Sequence, residues 1–361
     1  PVKLFFCLNK TGAPRPNLQR EDVVKNKILA ILKENPGSVS GNEISDRIGI
    51  SRSAVWKHVG QLRRDGHQIE ARTNRGYQLI READILSAKT LSDALAAHGL
   101  ADYIQAVEIV DETDSTNEMA KRAAAAGAPG RSLFIARYQT AGRGRRGYTW
   151  VSQADLNLTC SLLLRPEADA REMASATLFA GLCTAQGLNL LVDAQEERPF
   201  AGIKWPNDLI AKSSGKKLGG ILTETAMEEN RVAYLVIGIG LNLNQTHFPD
   251  DLAASATSLR LECDRPFRRL DILCAVLRRF QALEGLLLDR AAWIGSYRAL
   301  LLTLGKTVRI VEQGRPAWIG QAVDLDEEGE LVVLDARGQR QTVRSGAVSV
   351  RGLMGYHPTT L

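Results

Sequence analysis

Three glycines and three arginines share one short stretch of the sequence, and their chemistry suits the binding of an anion. The arginine side chain is a planar, permanently charged donor that matches phosphate and carboxylate oxygens. Glycine has no Cβ, so the backbone around it can approach a ligand closely. We therefore predict an anion-binding loop from these residues, which are Gly142, Arg143, Gly144, Arg145, Arg146 and Gly147.

The spacing of the three glycines also fits the pattern of dinucleotide-binding folds, which requires a helix to open at the glycines. Polar residues follow instead, and the next apolar run, residues 158–164, has the length and composition of a strand. The missing helix argues against a Rossmann fold. A solvated basic hairpin remains an alternative, because charge runs usually face water.

A second candidate group is Lys204, which stands where a buried strand would end and precedes Trp205, Pro206, Asn207 and Asp208. Desolvating an ammonium group alone is costly, so it must pair with an acid or bind a ligand anion. We favour ligand contact, since perturbed charges collect at functional sites. A structural ion pair is the alternative.

Other polar or small residues also stand at the ends of predicted elements. Ser115, Thr116 and Asn117 precede an alanine-rich helix, where hydroxyl and amide groups offer directed donors to a ligand. Gly219 lies in a predicted strand that a ligand could approach. Asn242 follows a long apolar strand. Together these ends could form one cleft.

The elements that carry these residues alternate between helix and strand, as in a mixed α/β domain. Residues 133–138 predict a strand that leads into Gln139 and the arginine loop, and residues 119–127 predict a helix. Residues 173–188 are nearly all apolar or small and predict a buried helix.

The composition limits the class of protein. With 361 residues, 44% hydrophobic and 24% charged, the chain is long enough for two or three globular domains. Its five cysteines form no C-x-x-C pair, which favours a cytoplasmic protein and argues against a structural zinc site. No apolar run approaches the ~18 residues of a membrane span, so we expect no membrane association. We also expect no metal ligands in the chain, because no His or Cys residues have the spacing of a metal site.

The net charge of +5 belongs to one N-terminal segment, since residues 15–82 contain 13 Lys or Arg and 8 Asp or Glu. Three helix patterns and a basic hairpin follow there in the order of a winged helix-turn-helix, with Trp56 expected to lie half in the core. A basic domain that binds another protein is the alternative. The residues expected to contact DNA are Ser51, Arg52, Ser53, Trp56, Lys57 and Arg75.

Four motifs in order resemble the biotin protein ligases, specifically the bifunctional type that also represses the biotin operon. The resemblance spans about residues 23–357. Its motifs are Ser115-Thr116-Asn117, the 142–147 loop with Trp150, Lys204-Trp205-Pro206-Asn207-Asp208, and Lys217-Leu218-Gly219-Gly220-Ile221-Leu222.

The resemblance implies an α/β (α+β) protein in several parts. A winged helix-turn-helix would occupy residues 23–82, after a tail of residues 1–22 that the sequence itself suggests. A mixed-sheet domain of the biotin/lipoate ligase type would occupy residues 83–304. Residues 305–361 would form an SH3-like β-barrel, with Trp318 expected in its core.

The resemblance also implies a two-step reaction. Biotin and ATP with Mg²⁺ would give biotinyl-5′-AMP and pyrophosphate, and biotin would then pass to a lysine of the biotin carboxyl carrier protein of acetyl-CoA carboxylase. The adenylate-bound protein would form a homodimer and bind operator DNA to repress biotin synthesis genes. A lipoate or octanoate ligase, or a ligand-sensing transcription factor with a degenerate ligase half, are the alternatives.

Roles for individual residues follow from the same resemblance. Lys204, Arg143 and Arg145 would stabilise charge on the reacting phosphoryl oxygens and are the expected catalytic residues. The residues expected to bind biotin or its adenylate are Ser115, Thr116, Asn117, Gln139, Gly142, Arg143, Gly144, Arg145, Trp150, Lys204, Gly219 and Asn242.

Overall fold

The computed structural model divides the chain into two units, residues 9–86 and residues 87–361 together with the first eight residues. It describes residues 6–7, 20–64, 66–72, 75–192, 199–312, 315–345 and 348–352. Most of the predicted tail therefore lies outside the described residues. Within the tail, which the sequence predicts to be loose, Phe6–Cys7 forms a short strand, β1.

The described residues of the first unit form three helices and a two-stranded hairpin, in the order that the sequence predicts. Their apolar stripes meet in one core that contains Ile28, Ile44, Val55 and Val59. The Ser40 hydroxyl caps the second helix by accepting the Glu43 N–H at 3.1 Å. The elements are α1 (Arg20–Glu34), α2 (Gly41–Ile48), α3 (Arg52–Arg64), β2 (Gln68–Arg72) and β3 (Gly76–Arg81).

The outer face of α3 is exposed to solvent. Val55 and Val59 face inward, and Trp56, one position and about 100° further round the helix, is 71% exposed. The expectation that Trp56 lies half in the core is therefore wrong. All six residues expected to contact DNA are exposed, namely Ser51, Arg52, Ser53, Trp56, Lys57 and Arg75.

An eight-stranded sheet organises the second unit, in the order β1-β4-β5-β6-β10-β9-β8-β7. β4 and β5 are parallel because α5 crosses between them, and the other neighbours are antiparallel. The prediction of a mixed sheet is confirmed. Its elements are α4 (Ala88–Ala97), β4 (Ala106–Thr113), α5 (Thr116–Ala125), β5 (Ser132–Gln139), β6 (Leu158–Leu164), α6 (Ala176–Val192), β7 (Ala201–Lys204), β8 (Asp208–Ala211), β9 (Lys217–Glu228) and β10 (Arg231–Leu241).

Four helices follow the sheet and complete its core. α6 packs against one of them, α9, and against β7 and β9. Phe179, Phe280 and Trp293 meet edge to face where α6, α9 and α10 come together. These helices are α7 (Asp250–Ala253), α8 (Leu259–Cys263), α9 (Arg269–Leu283) and α10 (Arg290–Leu300).

The segment Glu172–Val192, which contains α6, has 21 residues and a mean hydropathy of 1.3, enough by length and composition to cross a membrane. This contradicts our expectation that no apolar run approaches that length. About 67% of the apolar window is buried within the protein. A core helix passes the same test, and the predicted buried helix at residues 173–188 is confirmed.

The chain ends in a five-stranded antiparallel sheet with the order β14-β13-β12-β11-β15. Turn residues in this part of the sequence separate four predicted strands, at residues 308–311, 318–323, 331–334 and 341–343, and the structure adds a fifth, β15. Trp318 is only partly buried, so its expected place in the core is wrong, because Val308, Ile310 and Ala322 fill that core instead. The strands are β11 (Thr307–Glu312), β12 (Trp318–Leu325), β13 (Leu331–Leu334), β14 (Arg340–Val343) and β15 (Val348–Gly352).

Candidate active site

A cavity of about 460 Å³ lies where the N-terminus of α5 meets the ends of β5, β7 and β10 and the first half of β9. The arginine loop forms one of its walls. Nine of the residues that the sequence assigns to substrate binding line this cavity: Ser115, Thr116, Asn117, Gln139, Arg143, Gly144, Arg145, Trp150 and Lys204.

The start of α5 forms a buried polar surface at one end of the cavity. The Ser115 hydroxyl caps the helix by accepting the Asn117 N–H at 3.3 Å. The Thr116 N–H donates to Gln139 Oε1 at 2.7 Å, which joins α5 to the end of β5. The Ser161 hydroxyl lies 2.8 Å from Thr116 Oγ1 and 2.6 Å from Asn117 Oδ1. Side chains held in this way are preorganised for a polar ligand group.

A chain of charged groups connects this surface to the arginine loop. Arg143 Nη1 lies 2.6 Å from Glu118 Oε1, and Lys121 Nζ lies 2.7 Å from the same oxygen. Lys121 also pairs with Glu224 at 2.8 Å, and Glu224 Oε2 accepts from Asn117 Nδ2 at 2.7 Å. The Arg143 side chain is 57% exposed, so this guanidinium can move to a ligand at little cost.

The loop itself is a short hairpin that contains one 3-10 turn, Arg145–Gly147. The Gly144 N–H donates to Tyr148 O at 2.6 Å, and the Trp150 N–H donates to Gly142 O at 2.9 Å. No helix opens at the glycines, since the next regular element is β6. The argument against a Rossmann fold is confirmed.

Two arginines of the loop reach other parts of the unit. Arg145 Nη1 donates to Asn207 Oδ1 at 3.2 Å, and its Nη2 donates to the carbonyl of Ser345. Burial lowers the pKa of Arg145 from its ordinary value, although the group remains a cation at neutral pH. Arg146 Nη1 lies 3.4 Å from Val311 O. The loop is therefore tied to the C-terminal sheet, and Arg145 is fixed where Arg143 is not.

Lys204 is buried, with 6% of its surface exposed. Its Nζ lies 3.5 Å from Asp208 Oδ2, and Lys217 Nζ lies 2.6 Å from Asp208 Oδ1. Burial alone would raise the pKa of Asp208, but the two lysines outweigh it and hold that pKa below its ordinary value. Lys204 therefore fits both alternatives drawn from the sequence. It has an ion-pair partner in Asp208, and it also lines the cavity, where it can contact a ligand.

Two glycines of β10 leave room for the side chains that form the cavity walls. A Cβ at Gly238 would overlap the amide of Asn117, and one at Gly240 would lie 2.6 Å from the Trp150 indole. Trp150 thus packs closely against the bare backbone of Gly240. Among the described residues, the buried Trp150 Nε1 has no hydrogen-bond partner. The indole offers a flat surface suited to a planar ring.

Comparison with known proteins identifies three regions of the chain. Residues 109–242 match the biotin/lipoate A/B protein ligase family, residues 24–78 match an HTH domain, and residues 303–351 match the biotin protein ligase C terminal domain. The bifunctional ligase/repressor BirA of Bacillus spizizenii is 33% identical over 323 residues, which cover 86% of this chain and 94% of that protein. The chain belongs to the biotin protein ligase family.

Other biotin ligases are similar to this protein along most of its chain. The bifunctional ligase/repressor BirA of Escherichia coli is 27% identical, covering 92% of this chain and 98% of its own. The solved biotin protein ligase of Aquifex aeolicus in complex with biotin and ATP is 28% identical. It has a TM-score of 0.56 and covers 68% of this chain and 98% of its own. The predicted ligase fold is confirmed.

Three residues expected to bind substrate do not line the cavity of this biotin ligase. Gly142 and Gly219 instead lie against the backbone of Trp150 and Gly240, where a Cβ would come within 2.5 Å of a carbonyl oxygen. Asn242 is buried behind the wall and donates from Nδ2 to Thr257 O at 3.1 Å. These residues shape the strand and loop that carry the site.

Sequence reasoning missed several residues that line or support the cavity. Asp208 and Lys217 belong to the quoted motifs, yet their pairing depends on β8 lying beside β9. Ser161 is hidden in an apolar strand, where its hydroxyl and that of Thr159 are the only polar signals. Glu118 looks like an ordinary acid in the first turn of a helix. Arg146 was expected only as part of the loop.

Proposed function

We propose that the protein is an ATP-dependent biotin protein ligase that forms biotinyl-5′-AMP and transfers biotin to a carrier lysine. One observation carries the proposal: a single cavity joins a neutral polar end at Ser115 and Gln139 to a cationic end at Lys204 and Arg145. Biotin needs both kinds of contact, because its ring carries a neutral urea and its side chain ends in a carboxylate.

Adenylation requires two anions to meet. A biotin carboxylate oxygen attacks the α-phosphorus of ATP, and the bond from that phosphorus to the bridging oxygen breaks, releasing pyrophosphate. Lys204, Arg145 and Arg143 supply the positive charge that brings the anions together and stabilises the phosphoryl oxygens. No general base is needed, since the carboxylate is already ionised at neutral pH.

The neutral groups of the cavity determine how biotin is oriented. Ser115, Thr116 and Gln139 provide hydroxyl and amide groups for the ring urea, and Asn117 holds their turn through Glu224. Trp150 packs against Gly240 and covers the adenine ring. Gly144 lines the cavity and can contact the substrate. The structure behind the cavity wall is supported by Gly142, Gly219 and Asn242.

Magnesium would enter bound to ATP. Among the described residues, no group of three His, Cys, Asp or Glu side chains could hold a metal ion. Asp208, in the cavity wall, is already paired with two lysines. The phosphates themselves would therefore supply most of the oxygen ligands that Mg²⁺ prefers.

In the second step, the amine of the acceptor lysine attacks the acyl carbon of the adenylate, and AMP leaves. The amine must be neutral to attack. Asp208 is a weak base for this purpose, because its two lysine neighbours lower its pKa. Deprotonation would then fall to solvent or to the phosphate oxygens of the adenylate. The expected acceptor is the biotin carboxyl carrier protein of acetyl-CoA carboxylase.

The exposed basic face of α3 supports a second role in transcription. We assign residues 23–82 to operator binding, residues 83–304 to ligation and residues 305–361 to an SH3-like domain that supports the loop through Arg145. The adenylate-bound protein would dimerise in the cytoplasm and repress biotin synthesis genes. A palindromic operator would match the symmetry of such a dimer.

The decisive experiment compares three possible acyl substrates of the protein. The protein is incubated with ATP, Mg²⁺ and a biotin carrier domain, together with biotin, lipoate or octanoate. We expect modification of one carrier lysine with biotin only. Transfer of lipoate or octanoate but not biotin would overturn the proposal, and operator binding without any transfer would identify a transcription factor with an inactive ligase half.

A further inference from the structure

A second lysine shares the carboxylate of Asp208 with Lys204. Lys217 Nζ lies 2.6 Å from Asp208 Oδ1, and Lys204 Nζ lies 3.5 Å from Asp208 Oδ2. One carboxylate thus faces two ammonium groups, which leaves positive charge in excess on this wall of the cavity. The roles given above to Lys204 and the arginines leave Lys217 without one.

Lys217 lies between the two groups that would hold ATP. Its Nζ is 5.9 Å from the centroid of the Trp150 ring, and its stem passes over Gly220, where a Cβ would lie 3.6 Å from Nζ. Trp150 covers the adenine in the proposed function, and Lys204 meets the reacting carboxylate and phosphate. A phosphate chain that starts between these groups would pass close to Lys217.

The backbone of Lys217 is fixed while its side chain is partly exposed. The Lys217 N–H donates to Ser255 O at 2.8 Å, and the Thr257 N–H donates to Lys217 O at 2.9 Å. The side chain is 36% exposed, so Nζ can exchange Asp208 for another anion without moving the strand. A polyphosphate carries more charge than one carboxylate and competes well for the ammonium group.

We propose that Lys217 binds the β- and γ-phosphates of ATP and thereby stabilises the pyrophosphate that leaves during adenylation. The inference rests on the proposed ligase function and deepens it. The leaving group gains negative charge as its bond to the α-phosphorus breaks, and the Lys217 ammonium, in the cavity wall between Trp150 and Asp208, would offset that charge.

The reverse reaction isolates this role. Pyrophosphate is added to the full-length protein with preformed biotinyl-5′-AMP, and ATP formation is measured against pyrophosphate concentration. We expect Lys217→Met, which keeps the stem over Gly220, to raise the KM for pyrophosphate about tenfold, as loss of one charge-assisted contact would. Transfer of biotin from the same adenylate to the carrier stays within about twofold of wild type.

Matched variants distinguish a loss of pyrophosphate binding by Lys217 from a general loss of folding or activity. Lys216→Met is the control, because Lys216 Nζ donates to Ala253 O at 3.2 Å and is not among the cavity-lining residues. Lys217→Arg should restore most of the pyrophosphate affinity. If Lys217→Met fails to fold, Lys217→Gln takes its place. Normal transfer shows that the variant is folded and holds the adenylate.

Two results would overturn the inference. In the first, Lys217→Met changes the KM for pyrophosphate no more than Lys216→Met does. In the second, Lys217→Met slows transfer as much as pyrophosphorolysis, which would show that Lys217 positions the adenylate instead. Absence of both reactions in the wild-type protein would contradict the ligase function itself, so the two failures are distinguishable.

Discussion

Gly238 and Gly240 lie two positions apart on β10 and support opposite ends of the cavity. A Cβ at Gly238 would overlap the amide of Asn117, and a Cβ at Gly240 would lie 2.6 Å from the Trp150 indole. We expect Gly238→Ala to raise the KM for biotin at least about tenfold with little effect on the KM for ATP, and Gly240→Ala to do the reverse, as displaced contacts would. Steady-state kinetics of adenylation measures both constants.

Gly295→Ala is a matched control for this pair, because no atom outside its own helix lies within 4 Å of the added Cβ. It should leave both constants unchanged. If Gly238→Ala and Gly240→Ala raised the same constant, the assignment of biotin to the α5 end and adenine to Trp150 would be wrong.

Arg143 and Arg145 have the same chemistry but different surroundings. Arg143 is held only at the surface by Glu118, whereas Arg145 is half-buried and bonded both to Asn207 and to the carbonyl of Ser345 beside the C-terminal sheet. We expect Arg143→Ala to speed dissociation of biotinyl-5′-AMP about tenfold without loss of thermal stability, since an exposed ion pair contributes only ~0–1 kcal/mol. Arg145→Ala should lower stability as well, because it leaves a carbonyl and an amide unpaired.

Stopped-flow fluorescence and thermal unfolding measure these two effects. Arg137→Ala is the control, since Arg137 pairs with Asp111 and Asp155 and does not line the cavity. Equal losses of stability in Arg143→Ala and Arg145→Ala would argue against a fixed and a mobile arginine in the same loop.

At the level of elements, local patterns predicted most of the structure. The strand Leu158–Leu164 was placed correctly, and the helix predicted at residues 119–127 was found two to three residues earlier, at Thr116–Ala125, because apolar runs and capping residues are local signals that fix element type better than element ends. Partners distant in sequence were not predictable. The contact of Arg145 with Ser345 spans 200 residues, and the lysine pair at Asp208 depends on strand order. The predicted burial of Trp56 and of Trp318 was wrong, because an aromatic residue type does not by itself determine how far the side chain is buried.

Helix α3 contains the residues that we predict to contact operator DNA. Arg52 and Lys57 are exposed on its outer face, in the half of a helix-turn-helix that meets the major groove. We expect Arg52→Ala and Lys57→Ala each to weaken operator binding about tenfold at fixed salt while biotin ligation is unchanged. Electrophoretic mobility shift and ligation assays on the same preparations measure both activities.

Lys33→Ala, on α1, serves as the control for lost charge, since Lys33 pairs with Glu82 at 2.6 Å. It should reduce operator affinity far less than the α3 variants. Equal losses in all three variants would indicate a diffuse charge effect, and α3 would not be the recognition helix.

For the whole molecule, the proposed dual function requires that ligand occupancy change assembly. Ligand binding can alter operator affinity only through a difference in free energy between two states of the protein. We expect biotinyl-5′-AMP to convert the protein from monomer to dimer and to raise operator affinity together, as analytical ultracentrifugation and DNA titration would show. An unchanged mass with adenylate bound would contradict the repressor half of the proposal.

Mass spectrometry of the protein with biotin, ATP and Mg²⁺ tests the central claim most directly. The wild-type protein should form biotinyl-5′-AMP and pyrophosphate in equal amounts and, when a carrier domain is added, biotinylate one carrier lysine. Lys204→Ala should slow adenylation at least about a hundredfold, as loss of a preorganised charge in the cavity would. No adenylate from the wild-type protein, or undiminished adenylation by Lys204→Ala, would contradict the assignment of this cavity as the active site of a biotin ligase.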